Sequence, residues 1–171
     1  MKLNLGCGIN AMEGYVNLDR TNLPGVDTIH NLNIFPYPFR DNQFEEVMAM
    51  GVIELLDNFI KVMEELHRIT IPGARIIIRS PLFPNQCSAQ DPLTKKFITF
   101  NSFDYFKPNV KNLAHYSTAR FNVEKEIIFS RNKYLKFLNP LFNIFPKFYI
   151  RFLFSFFPAN EIKFTLITLK L

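Results

Sequence analysis

Short apolar runs separated by turn residues recur along the chain, and they predict strands over Lys2 to Leu5, Tyr15 to Leu18, Val26 to His30, Glu45 to Met50 and Ala74 to Ser80. Two later runs, Phe121 to Ser130 and Ile162 to Leu169, predict a final pair. In the last of these Phe164, Leu166, Ile167 and Leu169 place apolar side chains on both faces, as a strand covered on both sides requires. Between the fourth and fifth strands the period changes. Phe59, Val62, Met63, Leu66 and Ile69 recur at helical spacing and predict a helix with one face on the sheet. Asp57 is its expected cap, His67 and Arg68 close its last turn, and Pro72-Gly73 is the expected stop. Strands alternating with turns and a helix imply an α/β fold with a mostly parallel sheet. No repeat or low-complexity linker interrupts it, so 1–171 is expected to be a single domain.

Composition narrows the class. A chain of 171 residues, 48% apolar and 20% charged, is long enough to bury a core and too apolar to be disordered. Only two cysteines are present, Cys7 and Cys87, too few for a disulfide framework; Cys7 falls in a tight turn and is expected buried and reduced. That usage fits a cytoplasmic protein, and the chain runs from Met1 straight into a strand without a legible targeting peptide. The net charge of +5 permits an anionic partner, but where the charge lies matters more than its sum.

The chemistry-bearing feature is LNLGCG at Leu3 to Gly8, a strand running into Gly-x-Gly, followed by an acid, Asp19, at the end of the next strand. Glycine lets the backbone turn sharply and approach a ligand, while a carboxylate at the second strand end can accept two hydrogen bonds from a ribose diol. The pair reads as a nucleotide-type ligand site.

Taken in order, LNLGCG, GYVNLD, PFRDNQFEEV with GVIELL, the ELHRITIPG helix end and DPLTKKFITFNSFDYF resemble the small class I S-adenosylmethionine-dependent methyltransferases over roughly residues 1 to 106. The closing FPANEIKFTLITLKL is similar to the last strand of that group. The resemblance implies a Rossmann-like fold with a seven-stranded sheet, parallel except for one reversed strand. It also implies that Gly6, Cys7 and Gly8 line the methionine part of S-adenosylmethionine and that Asp19 holds its ribose. Asn31 and Leu32 would flank the adenine, with Asn31 standing where the family more often has Asp. Met50 and Gly51 would approach from the other side. Only ten residues separate Gly8 from Asp19, so the first helix is shortened to one turn at most. With no helix dipole to hold an anion, a cofactor without phosphates fits better than a dinucleotide.

Catalytic residues are harder to read. The family commonly carries histidines at the positions of Gly51, Leu55 and Thr94, and all three are absent here. Glu54, Asp91, Asp104 and His115 remain as groups able to take a proton. Each has a plainer reading: Glu54 as a brace for the next helix, Asp91 as a turn acid before a helix-like TKKFITF, Asp104 on a short surface helix, His115 as a solvated loop residue. No metal site is expected.

The last unusual region is an insertion over 131–160 before the final strand. It carries Arg131, Lys133, Lys136, Lys147 and Arg151, no acid, and ten aromatic residues between Tyr134 and Phe157. Pro140, Pro146 and Pro158 interrupt it, so it does not span a bilayer. Lys147, Arg151 and Ser155 form one narrow polar stripe on an otherwise apolar helix. Three burials fit: a cap over the acceptor pocket, a homodimer interface, or peripheral membrane contact through 134–157 with the bases toward anionic lipid.

Three functions follow for comparison. The leading expectation is a cytoplasmic or membrane-peripheral methyltransferase acting on a small-molecule, glycan or lipid-linked acceptor. The second is a cofactor-binding or scaffold protein of the same fold that has lost catalysis with the histidines. A nucleic-acid methyltransferase is disfavoured, because Met-Gly-Val-Ile-Glu follows the fourth strand in place of the polar Pro-Pro-aromatic segment that grips an extruded base.

Overall fold

The computed structural model describes residues 1–110, 116–128 and 136–170. Seven strands, β1 (Lys2–Leu5), β2 (Val16–Asp19), β3 (Thr28–Ile29), β4 (Phe44–Met50), β5 (Thr70–Pro81), β6 (Arg120–Ile128) and β7 (Glu161–Leu169), form one sheet in the order β3-β2-β1-β4-β5-β7-β6. β7 runs antiparallel to both neighbours, and the pairings from β3 across to β5 are parallel. This is the Rossmann-like class I methyltransferase arrangement, with the single reversed strand in place. Leu3, Leu5, Val47, Ala49, Ile76, Ile78, Phe164 and Leu166 are fully buried along its centre.

The expected strands are all present, with shifted limits. The third shrinks from five residues to Thr28–Ile29, and Asp27 just ahead of it is still tied to β2, its Oδ2 accepting the Asn17 N–H at 2.7 Å and its own N–H donating to Asn17 O at 2.8 Å. The fifth begins at Thr70, ahead of Pro72-Gly73, which therefore does not end the helix. Instead these two residues lie in a bulge, where four residues of β5 stand opposite one of β4 between the Phe44–Thr70 and Glu46–Arg75 pairs. Residues 129 and 130, expected to continue β6, lie outside the described residues.

Between β1 and β2 there are turns and no helix. Two buried amides hold this short crossing. Asn4 Nδ2 donates to Asn10 O at 2.9 Å and to Asn17 Oδ1 at 3.0 Å, and the same Asn17 oxygen accepts the Met12 N–H at 2.7 Å. Side-chain bonds thus satisfy backbone groups that a helix would otherwise satisfy internally.

The predicted helix is α1 (Phe59–Ile69), with Val62, Met63, Leu66 and Ile69 buried. Its cap is Asn58, whose side chain accepts the Lys61 N–H at 3.0 Å, and this corrects the assignment to Asp57. Asp57 stands one residue too early to reach that third helical amide. Its carboxylate pairs instead with Lys95 at 2.6 Å. At the other end the Thr70 hydroxyl donates to Leu66 O at 2.6 Å, and the chain passes directly into the strand. The Phe59 ring packs on Phe103 at 5.1 Å and Phe103 on Phe164 at 4.4 Å, which seats the helix over the reversed strand.

Beyond β5 lies a short helix α2 (Cys87–Gln90), but TKKFITF forms no helix. The Lys95 and Lys96 N–H groups both donate to Glu54 O at 2.9 Å, so this stretch is tied to the turn after β4. The insertion holds α3 (Asn139–Ile144) and α4 (Pro146–Phe148), the latter running into a π-helical turn over Tyr149–Leu153. Asn143 fixes it to the free edge of β6, accepting the Ile127 N–H and donating to Ile127 O, both at 2.7 Å. One side chain thereby copies the pairing of a further strand and closes an edge that would otherwise invite association.

Candidate functional site

All parallel strands deliver their carboxyl ends to one edge of the sheet, and the glycine turn leaves β1 there. Gly6 has φ +64°, and a Cβ on it would stand 2.4 Å from Val52 Cγ2, so neither the conformation nor the space admits a side chain. Gly8, at φ +52°, donates its N–H to Asp19 Oδ2 at 2.9 Å. Asp19 Oδ1 accepts the Thr21 N–H at 3.0 Å. Both oxygens are thus oriented by backbone amides, and each keeps a second lone pair.

The acid faces a cavity of about 370 Å³, within the usual range for a small-molecule site. Gly6, Gly8, Asp19, Asn31, Leu32 and Gly51 line it, bringing together six of the eight residues expected to meet the cofactor. Of the other two, Cys7 is buried in the turn, its N–H donating to Leu18 O at 3.0 Å. Burial, reinforced by the Asp19 charge, pushes its thiol up, which keeps it protonated. Met50, at the end of β4, is partly exposed and is not among the lining residues. Asn31 Oδ1 accepts the Asn33 N–H at 3.0 Å and closes the turn after β3. Leu32 is held from behind by Tyr37, whose buried hydroxyl donates to Leu32 O at 3.1 Å.

The cavity has further walls that sequence reasoning missed. His30 lines it with its Nε2 bonded to Ile34 O at 2.9 Å, and Arg20, Leu93 and Lys95 complete the rim. Arg20 and His30 directly follow or end the strands that carry the predicted residues, so the chain order held a signal for them. Leu93 and Lys95 come from a loop whose return over the cavity depends on the two hydrogen bonds to Glu54 O. A separate hollow of about 550 Å³ at the start of α1, lined by Asp57, Asn58, Phe59 and Lys96, contains none of the residues expected to meet the cofactor or take a proton.

The proton acceptors fare differently. Glu54 sits in a 3-10 turn over Ile53–Leu55, 5% exposed, between the lining residues Gly51 and Leu55. Burial pushes its carboxyl up, opposed by its own backbone N–H and the Ser80 hydroxyl, with the charges of Asp91 and Glu161 adding to the rise. Its Oε2 and the buried Ser80 Oγ close no hydrogen bond of acceptable geometry among the described residues. Asp91 has the turn role: its Oδ1 accepts the Leu93 N–H at 2.8 Å. Asp104 lies in a 3-10 turn and pairs with Lys107 and Lys125, each at 2.8 Å. Burial opposes its ionisation, but those two ammonium groups win and hold its carboxyl below the usual range. His115 lies outside the described residues. No group of three or more potential metal ligands occurs among the described residues.

Residues 3–78 match the family described as "Methyltransferase domain". No curated protein matches the sequence. The fold resembles a SAM-dependent methyltransferase from Archaeoglobus fulgidus at 15% identity and TM-score 0.63, covering 97% of this chain and 85% of that one. An S-adenosylmethionine-dependent methyltransferase from Mesorhizobium loti is similar at 10% identity and TM-score 0.58, covering 97% and 89%. The [4+2]-cyclase SpnF is similar too, at 13% identity and TM-score 0.56, covering 98% and 73%. These likenesses show the class I methyltransferase fold, and the family signature runs over the first four strands and into the fifth.

Proposed function

We propose that this chain is an S-adenosylmethionine-dependent methyltransferase that binds its cofactor in the cavity at the carboxyl ends of β1 to β4. The observation that carries this reading is Asp19: a carboxylate on the cavity wall, aimed by the Gly8 and Thr21 amides, with lone pairs left for a diol. Gly6 and Gly8 would hold the methionine part, and Asn31 and Leu32 the adenine. When bound, the cofactor supplies an electrophilic methyl group on a sulfonium.

What the protein must add is position and dryness, since an in-line displacement gains most from holding the acceptor on axis away from water. Val52, Leu55, Leu56 and Leu93 form an apolar wall suited to this. An acceptor held against that wall would take the methyl group and would have to give up its proton to a base of the protein. Glu54 is the candidate proton acceptor in this reading: it is buried between the lining residues Gly51 and Leu55, burial raises its carboxyl, and its Oε2 has no hydrogen-bond partner of good geometry among the described residues. The acceptor class is a small-molecule, glycan or lipid-linked nucleophile.

A second reading, a cofactor-binding protein without turnover, is favoured by the substitution of Gly51, Leu55 and Thr94 where the family has histidines. Calorimetric titration with S-adenosylmethionine and S-adenosylhomocysteine tests both. Micromolar binding, about −8 kcal/mol, supports the site. Absence of binding by the folded protein refutes it, and binding with no methyl transfer to any acceptor class supports the second reading.

A further inference from the structure

The described part of the insertion, from residue 136 on, does something unusual for a folded chain: it is anchored, yet leaves most of its large aromatic side chains in solvent. Phe142, Tyr149 and Phe154 are buried and hold α3 and α4 to the body, helped by the Asn143 bonds to β6. By contrast Phe137, Phe145 and Phe156 are 73%, 72% and 76% exposed, and Phe148, Phe152 and Phe157 are each more than half exposed. Scattered surface phenylalanines need no explanation, but a cluster from one short segment marks a surface that is covered in use.

Charge identifies the cover. Lys147 and Arg151 stand exposed among these rings, with the Arg151 guanidinium 5.7 Å from the Phe152 ring centroid, and neither forms an ion pair with a described residue. The whole stretch from 131 to 160 contains no acid. Aromatic side chains interleaved with unpaired bases suit the boundary between acyl chains and anionic headgroups. A second copy of the same face would set Lys147 and Arg151 against themselves in an isologous contact. Among the described residues no helix is long and apolar enough to cross a membrane.

Placement gives the surface a use. Pro81 ends β5, Ile128 ends β6, and Glu161 opens the antiparallel β7, so the insertion leaves and rejoins the sheet at the edge that carries the cavity. The Leu82 N–H donates to Asn160 O at 3.1 Å, tying its end to the loop that leads to Leu93 and Lys95 on the cavity rim.

We propose that the aromatic face of α3, α4 and the turn after them docks on an anionic lipid bilayer and turns the cavity edge of the sheet toward it. This proposal does not depend on the methyl-transfer reading. The test is co-sedimentation with vesicles of phosphatidylcholine alone and with about one-third phosphatidylglycerol, at low and raised salt. At least about thirtyfold stronger partitioning onto the anionic vesicles, weakened by salt, is expected. Lys147→Gln with Arg151→Gln should lower anionic partitioning about thirtyfold, from roughly fivefold per base, without changing partitioning onto phosphatidylcholine. Phe148→Ser with Phe152→Ser should lower both. All four positions are exposed, so circular dichroism should show unchanged folding. Absence of vesicle binding, or equal binding to both lipids, overturns the proposal. So does a concentration-dependent dimer in sedimentation velocity that the two serine substitutions dissolve.

Discussion

Asp19→Ala removes one carboxylate whose geometry assigns it a single external task. Its Oδ2 accepts the Gly8 N–H at 2.9 Å and its Oδ1 the Thr21 N–H at 3.0 Å, leaving one lone pair per oxygen directed to the cavity. Two diol hydroxyls donating to a charged acceptor contribute at least ~1.5 kcal/mol each, hence about 3 kcal/mol together, or roughly 150-fold in affinity. The fold loses less. The Gly8 and Thr21 amides border solvent and can bond water in the variant, so a stability loss of about 1 kcal/mol is expected. Calorimetric titration with S-adenosylhomocysteine reads the affinity, and thermal denaturation by circular dichroism reads the fold. A 2′-deoxy analogue of the same ligand sharpens the test: the parent protein should bind it more weakly, while the variant should bind both forms alike. A folded variant whose affinity stays within about threefold of the parent would refute the assignment of the ribose site.

Gly6→Ala should lower stability by about 3 kcal/mol, since it combines a left-handed backbone with a Cβ 2.4 Å from Val52 Cγ2, and adding Val52→Ala should recover part of the loss. A melting temperature unchanged in the single variant would contradict this geometry. Glu54→Gln should stabilise the protein more at neutral than at acidic pH. The folded-state carboxyl titrates above its ordinary value of 4.5, so the stability Glu54 contributes is full below that value and is lost as pH rises through the folded one. Melting-temperature differences between variant and parent that are equal at about pH 4 and about pH 7.5 would remove the argument for a buried, uncompensated carboxylate. Asn143→Ala should cost about 1–3 kcal/mol from its two bonds to Ile127 and should expose the insertion to limited proteolysis ahead of the sheet. Cleavage that proceeds at the parent rate would show that the buried rings suffice to hold it.

Much of the fold was legible because its signals are local. Period-two and continuous apolar runs specified the strands, and the spacing of Phe59, Val62, Met63, Leu66 and Ile69 specified α1. The glycine turn and Asp19 were legible for the same reason: a positive φ and a carboxylate at a strand end are properties of single positions. Near misses came from competing bonds. Asp57 and Asn58 are both capable caps, and only the start of the helix at Phe59 decides between them. Lys95 and Lys96 follow a helical-looking pattern, yet Glu54 O, some forty residues earlier, takes both their N–H groups.

The sequence by itself determined the elements, the strained glycine turn, the acid that faces it and the basic, aromatic character of the insertion. Only the tertiary structure decided how these meet. It brought Leu93 and Lys95 over a cavity built from the first four strands, buried Glu54 without a full set of partners, and set Asn143 against an open strand edge. It also left six phenylalanines of the insertion outside the core while burying Phe142 and Phe154. Periodicity identifies side chains that leave water, but whether they leave it for the protein's own interior depends on which faces the sheet has already filled.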